Sequence, residues 1–149
     1  RLLELGSGLG LPGVVCGLKG AQVTFSDFNP GALELSAKNA ILNGLTGFCC
    51  LAGDWRRFPE AGRFDWVLGS DIFYDPKLNP HLAGVIKNCL AAGGRLLLAH
   101  PGRKASFEFI SGLLADGFEP VEEALLPVYI DDSHFPYYEI NINLLGARH

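Results

Sequence analysis

Residues 1–15 read RLLELGSGLGLPGVV. An apolar run, Leu2 to Leu5, leads straight into Gly6-Ser7-Gly8-Leu9-Gly10, and a helical stretch follows from about Pro12 to Leu18. Strand, glycine turn and helix in that order make the first unit of an α/β domain with a mostly parallel sheet. Pro12 suits the first helical turn, because the N–H it lacks would have no partner there.

Outward from this unit the alternation continues. Gln22 to Ser26 is a second strand, ending at Asp27, and Asn29-Pro30 starts a helix. That helix runs through Leu33, Ala37, Ala40 and Ile41 and stops at Asn43-Gly44. Phe48 to Leu51 and Phe64 to Gly69 are the third and fourth strands. His81 to Ala92 carries Leu82, Val85, Ile86, Cys89 and Leu90, the stripe of an amphipathic helix, closed by Gly93-Gly94. Arg95 to Ala99 is a fifth strand, and Lys104 to Asp116 a helix with Phe107, Ile110, Leu113 and Leu114 inward. The last thirty residues change character. Val121 to Ile130 and Tyr137 to Leu145 are β-like runs joined by DDSHFP. The second places Tyr138, Ile140, Ile142 and Leu144 on one face and Glu139, Asn141 and Asn143 on the other, which predicts an antiparallel pair at the sheet edge.

The glycine loop admits two cofactor readings. Counted from Gly8, residues Gly8, Gly10 and Gly13 satisfy the dinucleotide pattern G-x-G-x-x-G. Counted from Gly6, residues Gly6, Gly8 and Gly10, with Glu4 just before, match a pattern of S-adenosylmethionine (AdoMet) sites. Glycines let a ligand approach the backbone, and a helix N-terminus offers free N–H groups, so both cofactors exploit such a loop. Position relative to the strand favours AdoMet. In the dinucleotide fold the first glycine follows the strand directly and the third packs the helix on the sheet. Counted from Gly6, that third position is Leu11. A carboxylate at Glu4 also accords better with a cationic ligand than with a pyrophosphate. Gly13 is then a packing position for the first helical turn.

Acids at later strand ends extend the site. Asp27 can accept ribose hydroxyls, which NAD and AdoMet both carry. Gly53-Asp54-Trp55 follows the third strand, where a carboxylate can receive the adenine amino group and an aromatic ring can cover the base. Phe28 can contact the base's other face. The fourth strand ends in Ser70-Asp71-Ile72-Phe73-Tyr74-Asp75-Pro76, and strand C-termini line the ligand crevice in such sheets, so Asp71 and Tyr74 should face the reacting end.

These motifs together, ELGSGLGLPG, then Ser26-Asp27, GDW and SDIFYD, resemble the seven-stranded (class I) AdoMet-dependent methyltransferases. The D-x-x-Y at Asp71 to Tyr74 resembles more narrowly the protein lysine methyltransferases that carry this motif. SDIFYDPKL followed by LLLAHPGR is most similar to the branch acting on the electron-transfer flavoprotein beta subunit, where the residue before Pro-Gly-Arg is usually acidic; here it is His100. The resemblance implies a Rossmann-like fold, a mostly parallel seven-stranded sheet with a C-terminal antiparallel pair and helices on both faces. It implies that Gly6, Gly8 and Gly10 pass beneath the methionine part of AdoMet, with Glu4 near its amino end. It further implies Asp27 on the ribose, Asp54 on the adenine and Ser70 on the sulfonium side. Asp71 would bind the substrate ammonium and Tyr74 orient it, the proton leaving to water, since an exposed carboxylate is a weak base. Arg103 and Lys104 read as solvated loop cations. Rival readings are a small-molecule (nicotinamide-like) N-methyltransferase, an NAD-dependent oxidoreductase, and a cofactor-binding module inactive in truncated form.

Composition bounds the partners. The 149 residues, 48% hydrophobic, suit one domain over 1–149. A formal charge of −4 argues against a broad basic nucleic-acid face. No apolar run approaches the roughly 20 residues that span a bilayer, and no signal peptide is visible, so a cytoplasmic protein without membrane contact is expected. Cys16, Cys49, Cys50 and Cys89 form no C-x-x-C pair, and His81, His100, His134 and His149 are scattered, so no metal site is expected. The absence of methionine and a start inside a strand predict a longer protein, and the family resemblance implies that its N-terminal segment helps close the site.

Overall fold

The computed structural model describes residues 1–131, 134 and 137–147. Of the connector DDSHFP, residues 132, 133, 135 and 136 lie outside the described residues, as does His149. The strands are β1 (Leu2–Leu5), β2 (Val23–Asp27), β3 (Cys49–Ala52), β4 (Phe64–Ser70), β5 (Leu90–His100), β6 (Phe118–Tyr129) and β7 (Tyr137–Ala147). The helices are α1 (Leu11–Leu18), α2 (Pro30–Leu42), α3 (Asn79–Cys89) and α4 (Lys104–Ala115). All seven strands form one sheet in the order β3-β2-β1-β4-β5-β7-β6. Pairing is parallel from β3 to β5, and β7 enters antiparallel between β5 and β6. The expected α/β architecture with its antiparallel C-terminal pair is what the chain adopts.

Two apolar clusters sandwich the sheet. On one face α1 and α2 bury Val14, Leu33 and Ala40 against Leu2, Val23, Phe25 and Leu68. On the other, α3 and α4 bury Leu82, Ile86, Ile110 and Leu113 against Leu3, Leu5, Val67, Leu96 and Leu98. Consecutive residues of β1 divide between the clusters, as the two-residue strand period requires. Both helix pairs thus hold the central strands by burial, and the turn after β4 adds Ile72 and Phe73 to the core.

Two expectations about the helices need correction, each for a local reason. Helix α3 ends at Cys89 rather than Ala92, because Leu90 already pairs with Phe64 in the sheet. The Arg63 guanidinium donates to the carbonyls of Lys87 and Leu90 at 2.7 and 2.9 Å, satisfying acceptors that the helix end leaves free. In α2 the inward position after Leu33 belongs to Ser36, and Ile41 stands exposed. In α4 the covered stripe is Ser106, Phe109, Ile110 and Leu113, with Phe107 half exposed. Phe109 stacks on Phe73 at 5.1 Å, which sets the helix rotation and turns Phe107 outward. On β7 the alternation is as expected, yet the polar face is the covered one around Asn143 and Leu145. Asn143 is buried there because its amide is bonded on both sides, to His100 and Glu123.

Candidate active site

The strand order reverses between β1 and β4: the chain builds outward through β2 and β3, then crosses to the other side of β1. Ligand crevices form at such switch points, outside the strand C-termini. The loops after β1 and β4 flank it here, and those after β2 and β3 adjoin it. Residues from all four strand ends line one cleft of about 240 Å³: Gly6, then Asp27 and Phe28, then Asp54 and Trp55, then Ser70, Asp71 and Tyr74. That volume lies below the usual range of enclosed small-molecule pockets, so a ligand in it keeps one side open to solvent.

The glycine loop forms the floor and is pinned from behind. Ser7 N–H donates to Ser26 O at 2.9 Å, and Gly10 N–H to Ser7 O at 2.6 Å. From α2, Ser36 Oγ donates to Gly8 O at 3.0 Å and Asn39 Nδ2 to Leu9 O at 2.8 Å. Gly6, Gly8 and Gly10 all have left-handed backbone, with φ of 60°, 54° and 72°. The three glycines serve different ends. Gly6 reaches the cleft, and a Cβ there would come within 2.7 Å of Ile72 Cγ2. Gly10 faces away, where a Cβ would meet Ser36 Cβ at 2.9 Å and Phe25 Cε1 at 3.0 Å. Gly8 contributes its N–H, which donates to Asp27 Oδ2 at 3.1 Å. Gly13 is a packing glycine as expected: a Cβ would sit 2.6 Å from Phe25 Cε1.

Glu4 lies beneath the loop and outside the cleft. It is 3% exposed, and its Oε2 accepts the Gly13 N–H at 3.0 Å. Burial pushes its pKa up to about 7, against the opposing pull of that hydrogen bond. A carboxylate so placed ties β1 to the first turn of α1.

Asp27 is held by the backbone. Its Oδ1 accepts from Asn29 N–H at 2.9 Å and its Oδ2 from Gly8 N–H at 3.1 Å. Each carboxylate oxygen keeps acceptor capacity for a second donor, and the residue lines the cleft although only 9% exposed. Phe28 presents an exposed ring, and Trp55 a half-buried one packed against the core. Asp54 lines the cleft with them. The Arg56 guanidinium grips it through Nε at 2.9 and 3.0 Å and Nη2 at 2.5 Å. That bond, with the Arg56 backbone N–H, holds the Asp54 pKa down at about 2. Arg56, Ile72 and Leu78 also line the cleft and went unread in the sequence. Arg56 was legible in principle, two residues beyond an acid in a tight turn.

At the β4 end, Asp71 has φ +52°, the one positive value at a non-glycine among the described residues. Its N–H donates to Ala99 O at 2.8 Å, which ties this strained turn to β5. Asp and Asn tolerate the left-handed region best among non-glycine residues, and such strain gathers at functional sites. The Asp71 Oδ1 forms an ion pair with Arg103 Nη1, so Arg103 is no freely solvated cation. Lys104 pairs with Glu108 one helical turn on. Tyr74 is 61% exposed at the cleft mouth. Below Asp71 sits His100, 1% exposed, with Phe73 and Phe107 edge-on to its ring. Its Nδ1 accepts the Gly102 N–H at 3.1 Å, so Nε2 carries the proton and donates to Asn143 Oδ1 at 3.2 Å. Burial lowers its pKa, keeping the imidazole neutral.

Comparison with known proteins adds a second line of evidence. A profile of the lysine methyltransferase family matches residues 1–115. Histidine protein methyltransferase 1 homolog of Dictyostelium discoideum is 34% identical over 66% of this chain and 34% of its own length. EEF1A lysine methyltransferase 3 of Mus musculus is 31% identical over 100% of this chain and 62% of its own. The electron transfer flavoprotein beta subunit lysine methyltransferase of Rattus norvegicus is 35% identical over 68% of this chain and 40% of its own. The chain therefore spans between about a third and three-fifths of these curated relatives. Among solved structures, the N-methyltransferase NodS from Bradyrhizobium japonicum WM9, in complex with S-adenosyl-L-homocysteine, superposes with a TM-score of 0.79. It covers 99% of this chain and 78% of its own at 18% identity, a likeness of fold.

Proposed function

This chain belongs to the lysine methyltransferase family, and on that premise we propose that it transfers a methyl group from AdoMet to a lysine side chain of a protein. The observation that carries this reading is one cleft lined by an anchored Asp27, a glycine floor at Gly6, and Asp71 and Tyr74. The residues fit the cofactor. Gly6 leaves room that a Cβ would contest with Ile72, and Asp27 keeps spare acceptor capacity for ribose hydroxyls. Phe28 and Trp55 would flank the adenine, Asp54 accept its amino group and Ser70 stand near the sulfonium. Gly8 and Gly10 shape the loop, and Glu4 braces it from below.

When bound, AdoMet supplies a methyl carbon activated by a sulfonium. The chain's task is then alignment of a neutral amine with that carbon. A lysine arrives as an ammonium with pKa about 10.4. Asp71 receives it as an ion pair, and Tyr74 orients it by its hydroxyl or ring. The proton passes to water, freeing the lone pair. The same reading makes the protein cytoplasmic, a placement supported by four unpaired cysteines among the described residues. No described helix is long and apolar enough to cross a membrane.

The test is incubation of the full-length protein with methyl-labelled AdoMet and a cell extract, followed by mapping of the labelled residue. Label on a protein lysine is the expected result. Label on histidine, or on small amines alone, would overturn the assigned acceptor; thermal stabilisation by NAD and not by AdoMet would overturn the cofactor.

A further inference from the structure

Asp71 carries the acceptor end of the cleft, yet in this structure it already has a cation. Arg103 Nη1 forms an ion pair with its Oδ1, and the two side chains are 47% and 44% exposed. Arg103 comes from the turn between β5 and α4, on the β4 side of the crevice. Its backbone is fixed: Gly102 N–H is held by His100 Nδ1, and the Arg103 carbonyl accepts the Ser106 and Phe107 N–H groups that open α4. Among the described residues its side chain is ion-paired with Asp71 alone, and it is about half exposed. Asp71, by contrast, is anchored through its strained backbone and its bond to Ala99. One partner is built in and the other can swing.

We propose that Arg103 is a positioning residue that occupies the Asp71 carboxylate before substrate binds and yields it to the substrate's ammonium. The inference rests on the lysine reading above. Arg103 already compensates the single charge of the carboxylate, so an arriving ammonium gains less from Asp71 than it would from a bare carboxylate. Arg103 thereby lowers the affinity of the site for any lone ammonium and leaves selection to the protein surface around the lysine.

The experiment is titration of the full-length protein, loaded with S-adenosylhomocysteine, with Nα-acetyl-lysine methylamide, followed by NMR. Arg103→Gln should bind this probe roughly two- to fivefold more tightly, the scale of an exposed ion pair. Arg103→Lys should restore wild-type affinity, and Asp71→Asn should remove the gain when combined with Arg103→Gln. S-adenosylhomocysteine affinity and melting temperature should not move in any Arg103 variant. With the mapped acceptor protein, KM should fall in Arg103→Gln more than kcat does. Equal or weaker probe binding by Arg103→Gln, or no detectable binding to it at all, would overturn the inference. The two readings fail separately: an extract without labelled lysine sinks the first, while labelled lysine with unimproved probe binding sinks only the second.

Discussion

The two ends of the cleft are built differently. At the end proposed to hold the cofactor, Asp27 is almost buried and both its oxygens accept backbone N–H groups, from Gly8 and Asn29. At the end proposed to receive the acceptor, Asp71 is about half exposed and its carboxylate is held by one side chain, that of Arg103. Backbone donors cannot leave without unmaking the loop, whereas a guanidinium on a flexible stem exchanges readily. The first arrangement suits a ligand always bound in one pose. The second suits one that arrives charged and departs altered.

The largest effect should separate the ends cleanly. Asp71→Asn keeps a residue that tolerates the left-handed turn while removing the charge. Turnover of the labelled substrate should fall about a thousandfold, with AdoMet affinity and melting temperature unchanged. A parallel loss of AdoMet binding in calorimetry would break the division. Next comes Glu4, the brace under the cofactor loop. Its folded pKa of about 7 exceeds the usual 4.5, so the folded state holds its proton more tightly and stability declines as pH rises between those values. The decline attributable to Glu4 should reach on the order of 3 kcal/mol. Urea denaturation at pH 5 and pH 7.5 should show it in the wild type and not in Glu4→Gln.

Asp27→Ala should weaken AdoMet binding about tenfold and lower the melting temperature as well, because Gly8 and Asn29 lose a charged acceptor. Loss of affinity at constant stability would show that Asp27 serves the ligand alone. The smallest effect belongs to His100. Its folded pKa lies below the usual 6.5, so stability is full above that value and erodes as pH falls below it. His100→Gln should flatten that limb and disturb kcat through the Gly102 contact, which a scan between pH 5 and 7 with parallel rates would reveal.

Much of this molecule is legible in its sequence. The helix ends at Asn29-Pro30 and Asn43-Gly44 appear where the residues put them, and eight of the expected site residues line one cleft. Glu4, Gly8 and Gly10 stand outside it because motif spacing reports the loop as a whole and not the direction of each member. Phe107 was expected inward on periodicity, but its neighbours chose Phe109. Ser36 is polar, and hydrophobic periodicity passes over it, although its hydroxyl secures Gly8.

Local chemistry alone determined the order of strand, turn and helix, the glycine floor and the acids at three strand ends. Steric limits on the backbone and the two periods act over a few residues, and a single chain displays them. Tertiary structure alone decided that Glu4 is buried against Gly13 and that Arg103 crosses 32 residues to reach Asp71. Burial and long-range ion pairing depend on which strands become neighbours in the sheet. The charge state of Glu4 and the occupancy of Asp71 follow from that packing and from nothing closer in the chain.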